Sequence, residues 1–263
     1  MNKRLSGKKM ELYDRPDYYN LAFSFRDIKH EVNFLEKVVE KFSKIPVKTI
    51  LELAAGNSPY MEEVAGRGYH YVGLELNKKM IAFSKEKAAR RSIRARFIRG
   101  DMKNFSMAAK VDLACVLLGS LYVNSDSDLI HHLKSVGKTL KSGGLYMLDG
   151  VVEFFPGQIK RQSWTMKNKN NTVKTTYIPQ IIDDAKNLYN EKIILQVIKN
   201  GKTFLVERDE VKKRFNKEDF LAIVKKEGSF QYVGAFANFN IGQKPRKNAR
   251  NILVLRKKSK NHG

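Results

Sequence analysis

Three carboxylates stand at the ends of three successive predicted strands of this 263-residue chain. Glu52 lies in the stretch ILELAAGNSPY over residues 50–60, Glu75 closes YHYVGLE, and Asp101 follows the strand-like run RARFIRG. Because parallel strands of an α/β sheet bind ligands beyond their carboxyl ends, we expect these acids to face one ligand. Carboxylates accept hydrogen bonds from hydroxyl, amino and ammonium groups, so the ligand should carry such donors.

The turn after the first of these strands contains small residues but no phosphate-binding fingerprint. Ala54, Gly56 and Ser58 allow a ligand to approach the backbone closely. Neither G-x-G-x-x-G nor GxxxxGK[ST] is present in the stretch. Pyrophosphate recognition is therefore disfavoured, and Glu52 beside this turn suits a ligand with a cationic amine and no phosphate.

Glu75 and Asp101 fit two parts of a nucleoside. Glu75 follows Gly56 at about the twenty-residue spacing at which an acid accepts hydrogen bonds from ribose hydroxyls. Asp101 is placed to accept the exocyclic amine of adenine, with Met80 and Met102 as apolar walls. One such acid alone is usually a solvated loop residue or a helix cap. Three of them at one edge of a sheet indicate a binding site.

The elements that must position these acids alternate between strands and helices. Apolar runs such as VKTILELA and VDLACVLL alternate with amphipathic patterns such as IKHEVNFLEKVVEKF and KKMIAFSKEKAARR. This rhythm predicts an α/β fold, a doubly wound, mostly parallel seven-stranded sheet covered on both faces. The last two strands, FQYVGAFANF and NILVLRKK, have no helix between them, which predicts one antiparallel strand.

A different pattern interrupts this order at residues 152–214. The runs TVKTTYIPQII, LYNEKIILQVI and KTFLVERDEVKKRF have strand character and are separated by polar turns. Residues 1–151 and 215–263 are therefore predicted to form the core, and residues 152–214 an antiparallel β insertion. We expect the insertion to cover the substrate site or to form the interface of a homodimer.

The chain carries 50 Lys and Arg against 27 Asp and Glu, a formal charge of +23 at pH 7. Such a charge attracts polyanions, which makes RNA a candidate partner, but a Lys-rich composition spread along the chain explains it equally well. Only the segment from Lys244 to Lys260 resembles a local patch. No apolar stretch suits a membrane span or a secretion signal, so a cytoplasmic protein is expected. No His and Cys cluster predicts a metal site.

In their order, these motifs resemble the class I S-adenosylmethionine-dependent methyltransferases, in particular a small-molecule-type subgroup with a β insertion before the last helix. The family pattern is roughly L-[DE]-L-x-x-G-x-G, with glycine expected at the first x. The stretch LELAAGNS matches its acid and Gly56, and departs from it at Ala54 and Ser58. The resemblance continues through RGYHYVGLELNKKMI, FIRGDMKNF and the region from VDLACVLLGSLY to SGGLYMLDG, and it covers nearly the whole chain.

The resemblance implies an S-adenosyl-L-methionine site built from the residues singled out above. Glu52 and the backbone from Ala54 to Gly56 would hold the methionine moiety, Glu75 the ribose, and Asp101 with Met102 the adenine. The full set of implied cofactor-binding residues is Tyr19, Arg26, Glu52, Ala54, Gly56, Ser58, Glu75, Leu76, Met80, Asp101, Met102 and Leu117.

The resemblance also assigns roles to the N-terminal segment and to the end of the fourth strand. Tyr19 and Arg26 would close over the cofactor, with Arg26 meeting its carboxylate through a charge-assisted hydrogen bond. The alternatives are ordinary packing for Tyr19 and a surface ion pair for Arg26. Leu117 and Leu118, which end the fourth strand, would lie beneath the sulfonium centre.

Methyl transfer from a sulfonium to an unprotonated amine needs mainly proximity and alignment, so a dedicated base is optional. The candidates for a base, or for positioning the acceptor, are Tyr122, Asp149, Glu153, Trp164 and Asn238. The favoured acceptor is an amine or hydroxyl of a small molecule. One alternative is an RNA or other macromolecule methyltransferase guided by the charge, although LLGSLY replaces the N-P-P-[YF] type of motif. The other alternative is a non-catalytic binding protein that keeps the fold.

Overall fold

The computed structural model describes residues 10–157 and 159–259. Its strands are β1 (Met10–Glu11), β2 (Thr49–Leu53), β3 (His70–Glu75), β4 (Ala95–Arg99), β5 (Val111–Val116), β6 (Leu140–Asp149), β7 (Gln162–Lys167), β8 (Asn171–Asp183), β9 (Leu188–Lys199), β10 (Lys202–Lys213), β11 (Phe230–Ala237) and β12 (Asn251–Lys257). Its helices are α1 (Pro16–Ala22), α2 (Ile28–Phe42), α3 (Met61–Gly66), α4 (Lys78–Arg90), α5 (Asp126–Thr139) and α6 (Lys217–Glu227). Lys260, part of the predicted basic patch, and the outermost ends of the predicted core lie outside the described residues.

Seven strands form the central sheet in the order β11-β12-β6-β5-β2-β3-β4. The neighbours from β4 to β6 pair in parallel, whereas β12 runs antiparallel to both β6 and β11. The predicted doubly wound, mostly parallel sheet with one antiparallel strand is therefore confirmed. The strand order reverses between β2 and β5, so the crevice for a ligand lies beyond the carboxyl ends of these two strands.

The alternation of side chains along β2 decides which face of the sheet each residue serves. Leu51 belongs to the buried cluster that contains α5 and α6, and Ile50 belongs to the cluster that contains α2. Because successive side chains of a strand point to opposite faces, Glu52 lies on the same side as Ile50, towards α2.

Within the described residues, no helix is long and apolar enough to cross a membrane.

A second sheet is built from the insertion and from the beginning of the described chain. Its order is β1-β10-β9-β8-β7, with β1 parallel to β10 and the other pairs antiparallel. Leu12, Tyr18 and Leu21 pack into the same cluster as Val173 and Leu195 of this sheet. The antiparallel insertion is present as expected. However, residues 10–22, which the sequence pattern assigned to the core, pack against the insertion sheet instead.

Candidate functional site

The turn that follows β2 has a left-handed backbone at alternate residues. Ala54, Gly56 and Ser58 have φ angles of 50°, 52° and 50°. Residues other than glycine enter this region at a cost of about 1 to 2 kcal/mol. Ala55 N donates to Leu74 O (3.0 Å) and Ser58 N donates to Ala55 O (2.7 Å), which fixes the turn. The two positions that depart from the glycine pattern therefore keep a glycine-like backbone.

The carboxylate of Glu75 is fixed beside this turn. Its Oε2 atom accepts a hydrogen bond from Gly56 N (2.8 Å), and its Oε1 atom accepts one from Asn77 N (2.8 Å). Asn77 is the N-cap of α4, so the carboxylate bridges the turn and the start of that helix. Each carboxylate oxygen has two lone pairs. One acceptor position on each oxygen is therefore left for a pair of ligand hydroxyls.

A cavity of about 400 Å³ opens beside Glu75 at the carboxyl ends of β3 and β4. Met80 and Met102 line it and are almost completely buried. Asp101 also lines it, and its Oδ1 atom accepts a hydrogen bond from Lys103 N (2.8 Å), which orients the carboxylate. A carboxylate beside two thioether side chains suits a flat apolar ring that carries an amino group.

A buried histidine supports the wall of this cavity. The ring nitrogens of His132 lie 2.8 Å from Met102 O and 2.6 Å from Tyr146 Oη. Burial lowers the pKa of His132 to about 4, so the ring is neutral at pH 7. Nδ1 therefore donates to the carbonyl, and Nε2 accepts from the tyrosine hydroxyl. The position of His132 in the middle of a helix gave no sign of this contact in the sequence.

A smaller cavity of about 180 Å³ adjoins the first one. The residues that line both cavities are Tyr19, Ala54, Gly56 and Ser120. Glu52 lines the smaller cavity, is 3% exposed, and accepts a hydrogen bond from Tyr71 Oη (2.6 Å). Burial raises the pKa of Glu52 to about 7. A ligand ammonium group nearby would favour the ionised form of this carboxyl.

Arg26 also lines the smaller cavity and belongs to a buried chain of charges. It donates to Glu31 from Nε (3.2 Å) and from Nη2 (2.5 Å), and both side chains are 3% exposed. Arg250 Nη1 donates to the same carboxylate (2.8 Å), and Arg250 also donates two hydrogen bonds to Asp149. Although burial opposes it, the two guanidinium groups lower the pKa of Glu31. The alternative of a surface ion pair for Arg26 is wrong in one respect, because the pair with Glu31 is buried.

Two of the candidate catalytic residues have structural partners. Asp149 is fully buried, pairs with Arg250, and accepts a hydrogen bond from Leu118 N (2.8 Å). Asn238 is exposed, and its Oδ1 atom accepts a hydrogen bond from Arg250 N (3.1 Å). Neither of them is among the residues that line the two cavities. Both side chains therefore hold the loops around the site.

Aromatic residues join the N-terminal segment to its neighbours around the cavities. Tyr13 and Tyr122 line the larger one, and their hydroxyl oxygens lie 2.5 Å apart. Trp164 Nε1 donates to Ala22 O (2.6 Å), which ties β7 to the end of α1. Burial raises the pKa of Tyr122 well above its ordinary value. Tyr122 is therefore a neutral phenol at pH 7 that can position an acceptor but cannot take its proton.

The residues predicted to bind the cofactor come together at this site. All of them except Ser58, which is fully buried, line one of the two cavities. Asn77 was missed, although an Asn before a helical pattern is an N-cap signal. Tyr13 and Arg208 also line the larger cavity, and nothing in the sequence indicated it, because their positions depend on the insertion sheet. No group of His, Cys, Asp or Glu in residues 10–157 and 159–259 could hold a metal ion.

Comparison with known proteins identifies the central part of the chain. Residues 50–144 match the sequence profile of a family described as a methyltransferase domain. YqeM of Bacillus subtilis, itself assigned as a methyltransferase only provisionally, is 28% identical over 114 residues, which are 41% of this chain and 46% of YqeM. The chain spans about half the length of the curated relatives it matches.

Solved structures resemble the chain over nearly its whole length. An S-adenosylmethionine-dependent methyltransferase from Clostridium acetobutylicum has a TM-score of 0.76 and 18% identity, over 92% of this chain and 97% of that one. The sugar N-methyltransferase KedS8 from a Streptoalloteichus species has a TM-score of 0.74 and 17% identity, over 98% of both chains. At identities this low, the structural similarity demonstrates a common fold only. Residues 50–144 thus match a methyltransferase domain, and the chain has the fold of the class I S-adenosylmethionine-dependent methyltransferases.

Proposed function

We propose that this protein transfers the methyl group of S-adenosylmethionine to an amine or hydroxyl of a small molecule. The observation that carries this proposal is the placement of Glu52, Glu75 and Asp101. They lie at the carboxyl ends of the adjacent strands β2, β3 and β4, and they line two cavities that share part of their walls. The methyltransferase domain and the similar structures support the same activity.

The donors and acceptors at the site match the parts of the cofactor. Glu75 would accept the two ribose hydroxyls, and Asp101 would accept the adenine amine. Glu52 and Arg26 would meet the ammonium and carboxylate groups of the methionine moiety. A Cβ atom added at Gly56 would meet no atom within 4 Å, so the turn leaves open space on the side of the cavities. These residues therefore fit a nucleoside with a zwitterionic tail.

When bound, S-adenosylmethionine supplies a methyl group activated on a sulfonium. The residues of this chain contribute alignment and the exclusion of water. Tyr19 and Ser120 lie where the two cavities meet, and Leu117 lines the smaller one. Alignment of reacting groups alone is equivalent to an effective concentration of about 10⁵ M or more. Tyr122 is a neutral phenol, and Asp149 pairs with Arg250 and lines neither cavity, so neither suits a base for the acceptor. This favours an amine over a hydroxyl as the acceptor.

The insertion supports a small acceptor. We infer that residues 10–22 and the insertion sheet together cover the substrate site, since Tyr13 and Tyr19 from the first and Arg208 and Glu210 from the second line the larger cavity. A cavity of about 400 Å³ covered in this way suits a small molecule better than a folded RNA. KedS8, a sugar N-methyltransferase of similar structure, also favours an amine on a small molecule.

Two measurements on the whole chain test this function. Isothermal titration with S-adenosylmethionine should show binding at one site per chain, and the absence of heat at high micromolar ligand would disprove the proposal. Transfer of radiolabelled methyl groups to a panel of small amines should then leave the label in the ultrafiltrate. Label found in acid-precipitable RNA would instead support the macromolecule alternative.

A further inference from the structure

A chain of four charged side chains, three of them buried, connects the smaller cavity with the turn after β5. It runs from Arg26 through Glu31 and Arg250 to Asp149. Tyr60 adds a hydrogen bond from its hydroxyl to Glu31 Oε2 (2.9 Å). Positive and negative charges alternate along the chain and balance, which is the arrangement in which buried charges are tolerated.

The four residues come from segments that are far apart in the sequence. Arg26 precedes α2, and Glu31 lies in the first turn of that helix. Arg250 directly precedes β12, and Asp149 ends β6. Asp149 Oδ2 accepts a hydrogen bond from Leu118 N, and Leu118 itself lines the smaller cavity. The network therefore ties the N-terminal segment to the carboxyl edge of the central sheet.

Glu31 determines which way the guanidinium of Arg26 faces. It accepts hydrogen bonds from Nε and Nη2, which lie on one edge of the planar guanidinium group. Within residues 10–157 and 159–259, the Nη1 group of Arg26 makes no hydrogen bond. Arg26 lines the cavity beside Glu52, so its free edge is available to a ligand that also carries an ammonium group.

We propose that Glu31, Arg250 and Asp149 are positioning residues that hold Arg26 ready for the carboxylate of S-adenosylmethionine. This inference rests on the proposed function, because it concerns the same cofactor. An arginine fixed in this way loses little conformational freedom when a carboxylate binds, so more of the hydrogen-bond energy appears as affinity. Asp149 then acts only through the other three residues, as an anchor for Arg250.

The test compares two ligands that differ only in the carboxylate, S-adenosylmethionine and its decarboxylated form. For Arg26→Gln, we expect the affinity for S-adenosylmethionine to fall by about 10- to 100-fold, the range for a lost charge-assisted hydrogen bond. Glu31→Gln should lower the affinity for the same ligand by about 10-fold, because Arg26 is then no longer oriented. Titration calorimetry of both variants should show unchanged affinity for the decarboxylated form.

Glu36→Gln is the matched control for Glu31→Gln. Glu36 lies on the same helix and also pairs with an arginine, Arg67 (2.5 Å), but it is partly exposed and does not line either cavity. We expect this variant to bind both ligands as the wild-type protein does. If Glu36→Gln weakens S-adenosylmethionine as much as Glu31→Gln does, the specific role of Glu31 is disproved.

A second variant keeps the test decisive if Glu31→Gln does not fold. Arg250 is 31% exposed, and Arg250→Lys keeps its charge while removing the fork that joins Glu31 to Asp149. We expect Arg250→Lys to lower the affinity for S-adenosylmethionine and to leave the affinity for the decarboxylated form unchanged. Equal weakening of both ligands would overturn the positioning role alone. A wild-type protein that binds neither ligand would overturn the proposed function, and the positioning role with it.

Discussion

At the scale of single residues, Glu75 has a carboxylate fixed by hydrogen bonds on both oxygens. Two backbone N–H groups, from Gly56 and Asn77, hold its carboxylate between the β2 turn and the start of α4. The sequence predicted its role from its place at the end of a strand and its distance from Gly56. What the sequence did not show is that the same carboxylate also stabilises the turn. Its removal should therefore affect both the proposed ribose contact and the backbone that faces it.

Glu75→Ala should weaken binding of S-adenosylmethionine by about 1.5 to 3 kcal/mol, the range for lost hydrogen bonds to a charged group. Titration calorimetry measures this directly. The control is Glu86→Ala on α4, an exposed residue that pairs with Arg90 and lies away from both cavities. Unchanged affinity in Glu75→Ala would mean that the ribose lies elsewhere.

Two buried titratable residues should affect stability with opposite dependence on pH. Burial raises the pKa of Glu52 to about 7 and lowers that of His132 to about 4. For Glu52 the folded state binds the proton more tightly, so its contribution to stability is present at low pH and is lost as the pH rises through 7. For His132 the unfolded state binds the proton more tightly, so stability is lost as the pH falls from 6.5 towards 4.

Chemical unfolding at pH 5 and pH 8 tests this pair. Relative to the wild-type protein, Glu52→Gln should gain roughly 2 to 3 kcal/mol of unfolding free energy between pH 5 and pH 8. His132→Gln should lose about 2 kcal/mol over the same interval. Shifts of the same sign in the two variants would contradict the burial-driven pKa values.

At the scale of elements, the turn after β2 keeps a left-handed backbone where the side chains have changed. Ala54 and Ser58 occupy this conformation, and Ala55 between them does not. The sequence alone presented both substitutions as departures from the glycine pattern. The structure shows that hydrogen bonds to Leu74 and within the turn hold the backbone in its left-handed conformation in spite of the strain.

Replacement of alanine by glycine should therefore have opposite effects at two neighbouring positions. Ala54→Gly relieves about 1 to 2 kcal/mol of backbone strain and costs about 0.5 to 1 kcal/mol through the unfolded state, so it should leave stability unchanged or raise it. Ala55→Gly should lower stability by about 1 kcal/mol, because Ala55 is buried and has no such strain to relieve. Denaturant unfolding of both variants measures the difference. A greater loss in Ala54→Gly than in Ala55→Gly would show that the turn is not strained.

The elements of the central sheet could be predicted from the sequence. Those of the N-terminal segment and the insertion sheet could be predicted only in part. Helix α2 was predicted from the spacing of Val32, Leu35 and Val38, which are all buried. Helix α1 and strand β7 are short, and patterns of 6 or 7 residues do not distinguish helix from strand reliably. The contacts of α1 include strands more than 100 residues away, as in the packing of Tyr18 on Phe204 (5.3 Å). No local pattern contains that information.

At the scale of the whole molecule, the residues of the proposed cofactor half of the site could be predicted from the sequence, and those of the proposed acceptor half could not. The order of Glu52, Glu75 and Asp101 along the chain reflects the order of β2, β3 and β4 in the sheet. The acceptor half depends on how the N-terminal segment and the insertion sheet pack over that edge. The contact of Tyr13 with Tyr122 joins residues 109 positions apart.

The formal charge of +23 should produce only nonspecific attraction to nucleic acid. We expect single-stranded RNA to bind more weakly than about 1 μM at physiological salt, with an affinity that falls steeply as salt increases. Fluorescence anisotropy over a range of salt concentrations measures this. Tight binding that persists at physiological salt would favour RNA as the substrate.

The most direct test of the central claim is a crystal structure of the protein with S-adenosylhomocysteine. We expect both ribose hydroxyls within about 3.2 Å of the Glu75 carboxylate oxygens, the usual limit for a hydrogen bond. The adenine should lie between Met80 and Met102, and the carboxylate should meet Arg26. Bound ligand in any other place, or two cavities without density at saturating ligand, would contradict a class I methyltransferase site in this chain.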